Sequence, residues 1–299
     1  MILMLSKRLA AAVALIIGAT ACTPTANEGP TVVTAFYALE YAAGRVADDS
    51  YAINTLTTPG QDAHDIELTP KQVASLATAD LVVYLKGFQP AVDAAIEESG
   101  ARNVLDVSGP ARLLDAEEGD GDGHDHGELD PHFWLDPERL ADVGDAISLS
   151  LAAGGADQAA LQSNTAALRA DLDDIDQAYR QGLATCERRA FITTHQAFGY
   201  LAHAYDLHEI GITGISPNQE PSPARIAEID KEVRQYGITT IFYEPLGSDA
   251  LARSIASDLG LVASVLDPVE GIGEHSPGKD YPSIMRANLE ALRSANGCS

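Results

Sequence analysis

Side chains able to hold a metal ion stand where the chain passes from one element to the next. His64 lies in TTPGQDAHDIELTP, after the apolar run YAINTL (51–56), and His132 lies in LDPHFWLDP. His195 closes RAFITTH (189–195) and Asp267 closes LVASVLD (261–267), with Glu270 three residues later in LDPVEG. A single loop histidine is ordinarily only surface, and an Asp before Pro is ordinarily a turn residue. Their distribution carries more weight. Two imidazoles come from the first half of the chain; a third imidazole and a carboxylate come from the second. Three imidazoles and one carboxylate form a closed set suited to Zn²⁺ at about 2.0–2.2 Å. Mn²⁺ favours more oxygen and a larger coordination number. The chain has neither an H-E-x-x-H pair nor a Cys cluster, and no nucleophile motif, so a standard zincin is not indicated.

These residues need elements to hold them. Apolar, β-rich runs occur at 31–37, 51–56, 81–87 and 103–108, and again at 189–195, 208–216, 239–245 and 261–267. Helical spacing fills the gaps: Val73, Leu76 and Ala77 share one face, as do Ile226, Ile229 and Val233. Strands alternating with helices predict an α/β fold: two units, each a mostly parallel four-stranded sheet with flanking helices. Ligands of such sheets bind beyond the carboxyl ends of the strands, where these His and carboxylate residues fall. Between the halves, Leu140, Val143, Ile147 and Leu151 keep helical spacing. After Gly154-Gly155 it resumes through Leu161, Leu168, Leu172, Ile175 and Tyr179. This predicts a long, stiff helical connector over 137–185 between an N-terminal unit (31–136) and a C-terminal one (186–299).

The first residues read as an address. Lys7-Arg8 precede an apolar run of 13 residues at 9–21, shorter than the roughly 20 that span a bilayer and of the size of a signal-peptide core. GATAC, ending at Cys22, resembles a bacterial lipobox with Ala19 in place of the more usual Leu. Residues 1–21 are therefore expected to be a signal peptide, Cys22 the acylated first residue of the mature chain, and 22–30 a tether. Simple cleavage near residue 21, giving a secreted protein, is the alternative. No other segment reads as transmembrane. With Cys22 acylated, Cys186 and Cys298 remain as an even pair, available for a disulfide in an oxidising compartment.

Lys and Arg number 19 against 44 Asp and Glu, a net charge of −25 over 299 residues. Nucleic acid is excluded as a partner, because a phosphate backbone requires a basic face; the same field attracts cations. Residues 115–128, DAEEGDGDGHDHGE, hold seven acids, no base and two histidines, His124 and His126. That composition predicts a mobile acidic loop able to hold metal weakly.

Taken together, TTPGQDAHDIELTP, LDPHFWLDP, FITTHQAFGYLAHAYDL, ISPNQEPSP and LDPVEG followed by DYPSIMRANLEAL resemble the zinc- and manganese-binding solute-binding proteins of bacterial ABC importers, the ZnuA-like group. The pieces occur in family order over nearly all of residues 30–295. The resemblance implies two α/β lobes joined by a long backbone helix, with one metal between them. It implies an exported, lipid-anchored or periplasmic monomer that carries Zn²⁺ to a membrane permease and is not an enzyme. His64, His132 and His195 match the family's metal histidines. The imidazole at 195, where manganese-type members carry a carboxylate, points to zinc. Glu270 is the expected fourth ligand, with Asp267 or water in reserve. His203, His208 and His275 are expected to be structural or exposed, Glu220 to shape a loop, and Glu244 to stand behind a ligand. The alternatives are a Mn²⁺ or Fe²⁺ carrier of the same architecture and an exported zinc hydrolase.

Overall fold

A computed structural model describes residues 29–116, 129–217 and 220–299. The signal peptide and lipid anchor expected before residue 29, and the loop histidines His124 and His126, lie outside the described residues.

All eight expected runs form strands. The first half is built from β1 (Thr31–Thr34), α1 (Tyr37–Ala47), β2 (Ala52–Thr55), α2 (Pro70–Thr78), β3 (Leu81–Tyr84), α3 (Pro90–Ser99), β4 (Val104–Asp106) and the short α4 (Ser108–Ala111). Two long helices follow, α5 (Pro137–Ala153) and α6 (Gln158–Gly182). The second half contains β5 (Ala190–Thr193), α7 (Gly199–Ala204), β6 (His208–Gly211) and α8 (Pro223–Tyr236). It ends with β7 (Thr240–Tyr243), α9 (Ala250–Leu259), β8 (Val262–Val265) and α10 (Tyr281–Asn296).

The strands make two four-stranded sheets, ordered β2-β1-β3-β4 and β6-β5-β7-β8, and every pairing is parallel. The two orders are the same, so each sheet reverses direction of growth between its first and third strands. That switch opens a crevice beyond the carboxyl ends. Burial follows position in the sheet. Val32, Val33, Val82 and Val83 of the central strands are fully buried, whereas the edge strand β2, AINT, alternates between exposed and half-buried. Parallel strands covered on both faces need such continuous apolar runs.

The span 137–185 is a hairpin of two helices. Asp136 caps α5 by accepting from the Glu138 N–H, with Pro137 in the first turn; its fixed φ suits that position and its missing N–H costs nothing there. After Gly154-Gly155, Asp157 caps α6 through the N–H groups of Ala159 and Ala160. At 1.5 Å per residue the 25 residues of α6 extend about 37 Å. Gly144 lets the helices touch: a Cβ there would lie 2.7 Å from Leu168 Cδ2.

One apolar core contains α1, α5 and α6 together with Phe191, Phe242, Leu266 and α10 from the second half. Ile192, Ile210, Ile229, Ile241 and Ile255 form a smaller core on the second sheet. Helix α10 binds the halves: Tyr281 Oη donates to the Trp134 carbonyl (2.6 Å), Tyr37 Oη accepts from the Tyr281 N–H (3.0 Å), and Tyr179 Oη donates to the Met285 carbonyl (2.6 Å). Cys186 and Cys298 form a disulfide that ties the chain end to the segment entering β5. Among the described residues no helix is long and apolar enough to cross a membrane.

Candidate metal centre

His64 sits in the loop between β2 and α2, and His132 immediately precedes a 3-10 turn at Phe133–Leu135. His195 lies just beyond β5 and Glu270 just beyond β8. All four therefore occupy loops at the carboxyl ends of strands or leading out of the first sheet, two from each half. Their donor atoms converge to within 4.8 Å of one another.

Four of the six donor separations lie close to the edges of a coordination tetrahedron. A centre 2.0–2.2 Å from each vertex requires edges of about 3.3–3.6 Å. His64 Nε2 and His132 Nε2 lie 3.1 Å apart. Glu270 Oε1 lies 3.3 Å from His64 Nε2, 3.2 Å from His132 Nε2 and 3.6 Å from His195 Nε2. Burial is deep: His132 is 0% exposed, His195 1% and Glu270 2%. Among the described residues, Glu270 Oε1 and His195 Nε2 are buried with no aligned hydrogen-bond partner. A buried polar atom without a partner is costly, and a cation at the common centre would satisfy both.

Carboxylates on the far side of two rings fix which nitrogen faces inward. Asp130 Oδ1 accepts from the His132 backbone N–H (2.9 Å) and from its Nδ1–H (2.7 Å). Glu244 Oε1 accepts from the His195 Nδ1–H (2.5 Å) and from Thr194 Oγ1 (2.8 Å). With Nδ1 committed as donor, the neutral ring directs its Nε2 lone pair to the centre, and its basicity rises. Asp130 is the carboxylate behind a candidate donor that sequence reasoning did not single out. The signal was present as a repeated Asp-x-His, because Asp62 Oδ1 accepts from the His64 N–H (2.7 Å) as Asp130 does from His132.

The electrostatics follow from this packing. Burial works against a charge on His132, but Asp130 and Glu270 outweigh it and push the imidazole up to about 9. Burial likewise opposes charge on His195, yet Glu244 and Glu270 hold it well above the usual imidazole range. Burial would raise Glu270, but the three imidazoles hold its carboxyl well below the usual range. Carboxylates within and behind the pocket thus favour positive charge at its centre, carried by protons or by a cation.

Asp267 is not among the converging donors. Its Oδ1 accepts from the Val269 N–H (2.8 Å), the same local turn made by Asp62 and Asp130, and burial pushes its carboxyl up to about 6. That turn holds Val269 at φ 58° and directs the next side chain, Glu270, inward. A β-branched residue in this region is strained. Trp134 Nε1 donates to the Pro268 carbonyl (2.7 Å), joining the His132 turn to the Glu270 loop. Gly273 lets two loops come close, since a Cβ there would lie 2.7 Å from Leu246 Cδ2 and 3.8 Å from Gly60 Cα. His203, His208 and His275 are all exposed, and none belongs to the cluster.

Two parallel sheets of identical order with a four-donor pocket between their loops define a two-sheet α/β protein that encloses a small cation-sized site. Residues 32–295 match the family described as zinc-uptake complex component A, periplasmic (ZnuA), and the chain belongs to that family. The zinc-binding lipoprotein AdcA of Streptococcus pneumoniae (strain ATCC BAA-255 / R6) is 33% identical over 302 residues, covering 97% of this chain. This chain spans only 60% of that relative's length. The high-affinity zinc uptake system protein ZnuA of Bacillus subtilis is 31% identical over 88% of this chain and 86% of its own length. The crystal structure of the Zn(II)-bound ZnuA-like domain of S. pneumoniae AdcA shares 32% identity and a TM-score of 0.74, covering 90% of this chain and 99% of that one.

Proposed function

We propose that this protein is the zinc-capturing component of an ABC importer, exported and tethered through Cys22, acting as a monomer and passing Zn²⁺ to a membrane permease. His64, His132, His195 and Glu270 hold the ion as cargo. One observation carries this reading: three Nε2 atoms and one carboxylate oxygen, contributed by loops of both sheets, approach the edge lengths of a zinc tetrahedron. Three nitrogens and one oxygen suit zinc better than manganese, which favours oxygen and more ligands. Four protein donors also fill the shell that a hydrolytic zinc would leave open for water, which favours a carrier over an enzyme.

In this reading residues 31–136 and 186–299 act as two lobes and 137–185 as the connector between them. The shared core, α10 and the Trp134–Pro268 bond favour a small loop rearrangement on loading over wide closure.

The test is titration of metal-free protein with Zn²⁺ against a chromophoric chelator. One zinc per chain is expected. His64→Ala, His132→Ala and His195→Ala should each lose more than about 100-fold in affinity, beyond the 10–100-fold typical of an outer partner, and Mn²⁺ should compete poorly. Unchanged affinity in these variants, or preferential binding of Mn²⁺, would overturn the proposal.

A further inference from the structure

Two cavities of opposite surface character reach three of the four donor residues. One, of about 330 Å³, is reached by His195 and Glu270 and carries Asp62, Glu244, Thr194 and Ser248 on its wall. The other, of about 310 Å³, is reached by His64 and is lined by Leu85, Phe88, Leu129 and Ile215, with Lys86 as its charged residue. Both buried donor atoms that lack an aligned partner, Glu270 Oε1 and His195 Nε2, belong to residues lining the first cavity. Glu244 is engaged there by the His195 Nδ1–H and the Thr194 hydroxyl. Asp62 is bonded through Oδ1 only to the backbone N–H of His64, an interaction that does not neutralise its charge.

We propose that zinc enters and leaves through the acidic cavity beside Glu270, and that Asp62 is the side chain that guides the ion along it. This rests on the reading of the four donors as a zinc site and adds the path to it. A hydrated divalent cation is drawn down a cleft with carboxylates on its wall, and apolar surroundings such as Leu246 and Leu251 confine the field to the opening. The second cavity offers the ion an apolar wall and a like charge at Lys86. Asp62 meets the ion before the donors do, so its effect is on rates. A ligand-holding role would act on retention instead.

The experiment uses the fluorescence of Trp134, the chain's single tryptophan, whose ring lies 5.4 Å from that of His132. Stopped-flow mixing with Zn²⁺ gives association, and a chelator chase gives dissociation. Asp62→Asn keeps an oxygen to accept the His64 N–H and removes only the charge. It should still bind one zinc per chain, associate roughly five- to tenfold more slowly at low ionic strength, and lose most of that deficit in high salt. Lys86→Gln, in the other cavity, should leave association unchanged. Wild-type association by Asp62→Asn, faster dissociation as its only change, or accelerated uptake by Lys86→Gln would each overturn the path while leaving the four-donor site intact. Failure of the unaltered protein to bind zinc would remove both.

Discussion

Zinc loading should be coupled to proton release far above the pH at which ordinary histidines titrate. Coordination requires neutral imidazole. Three unperturbed imidazoles near 6.5 would give up only about 0.3 proton in total at pH 7.5. Here His132 is pushed up to about 9 by Asp130 and Glu270 against the opposing effect of its burial, and His195 is raised for the same kind of reason by Glu244 and Glu270. Glu270, held low, is already charged and releases nothing. The sign follows: each raised imidazole holds a proton below its folded pKa, so zinc must displace it and affinity rises with pH. At pH 7 the His132 proton alone stands about two units below its pKa, costing roughly 100-fold, or about 2.7 kcal/mol, relative to pH above 9. The His132 ring alone gives close to one proton per zinc at pH 7.5 and a slope of log affinity near one around neutrality, and the raised His195 adds to both. Calorimetry in buffers of different ionisation enthalpy counts the protons directly. Release of a few tenths of a proton at pH 7.5, with affinity flat above that pH, would refute the argument.

Further expectations concern the supports of the site. Asp130→Asn should keep the fold, weaken zinc by about 10- to 100-fold and reduce the protons released, because the His132 Nδ1–H loses its charged partner; zinc titration and calorimetry read both. Trp134→Phe would orphan the buried Pro268 carbonyl at about 1–3 kcal/mol, and should lower both urea stability and zinc affinity, since that bond joins the His132 and Glu270 loops. Replacing Cys186 and Cys298 together by Ser opens a link across 112 positions, worth about 4–5 kcal/mol in the chain-entropy limit. Denaturation of the metal-free protein should show most of that loss, with zinc stoichiometry unchanged.

The strands were legible because parallel, doubly covered strands leave uninterrupted apolar runs, and each run carries its strand within it. Their lateral order was not, since β2-β1-β3-β4 depends on which side each crossover packs. Helix α10 shows the limit of reading by halves: Tyr281 spends its hydroxyl on Trp134, 147 positions away, and no local pattern marks such a partner. The three clustered histidines stood out by falling at element ends. Glu270 and Asp267 could not be separated by type or position, and the difference is local geometry: Asp267 turns back onto the Val269 N–H, which sends Glu270 inward. Asp130 was overlooked because it reads as a turn residue before Pro131, and it is one, while also holding the His132 ring. The disulfide was open to expectation by parity and compartment, but its closure rests on the path of α10 back to the start of β5.

The central claim is that four side chains from both halves meet at one zinc ion. A crystal of the zinc-loaded protein, with anomalous data on either side of the zinc absorption edge, tests it most directly. The account predicts one interior peak, about 2.0–2.2 Å from Nε2 of His64, His132 and His195 and from a carboxylate oxygen of Glu270. A peak bound by Asp267 instead, or one lying away from these histidines, would contradict it.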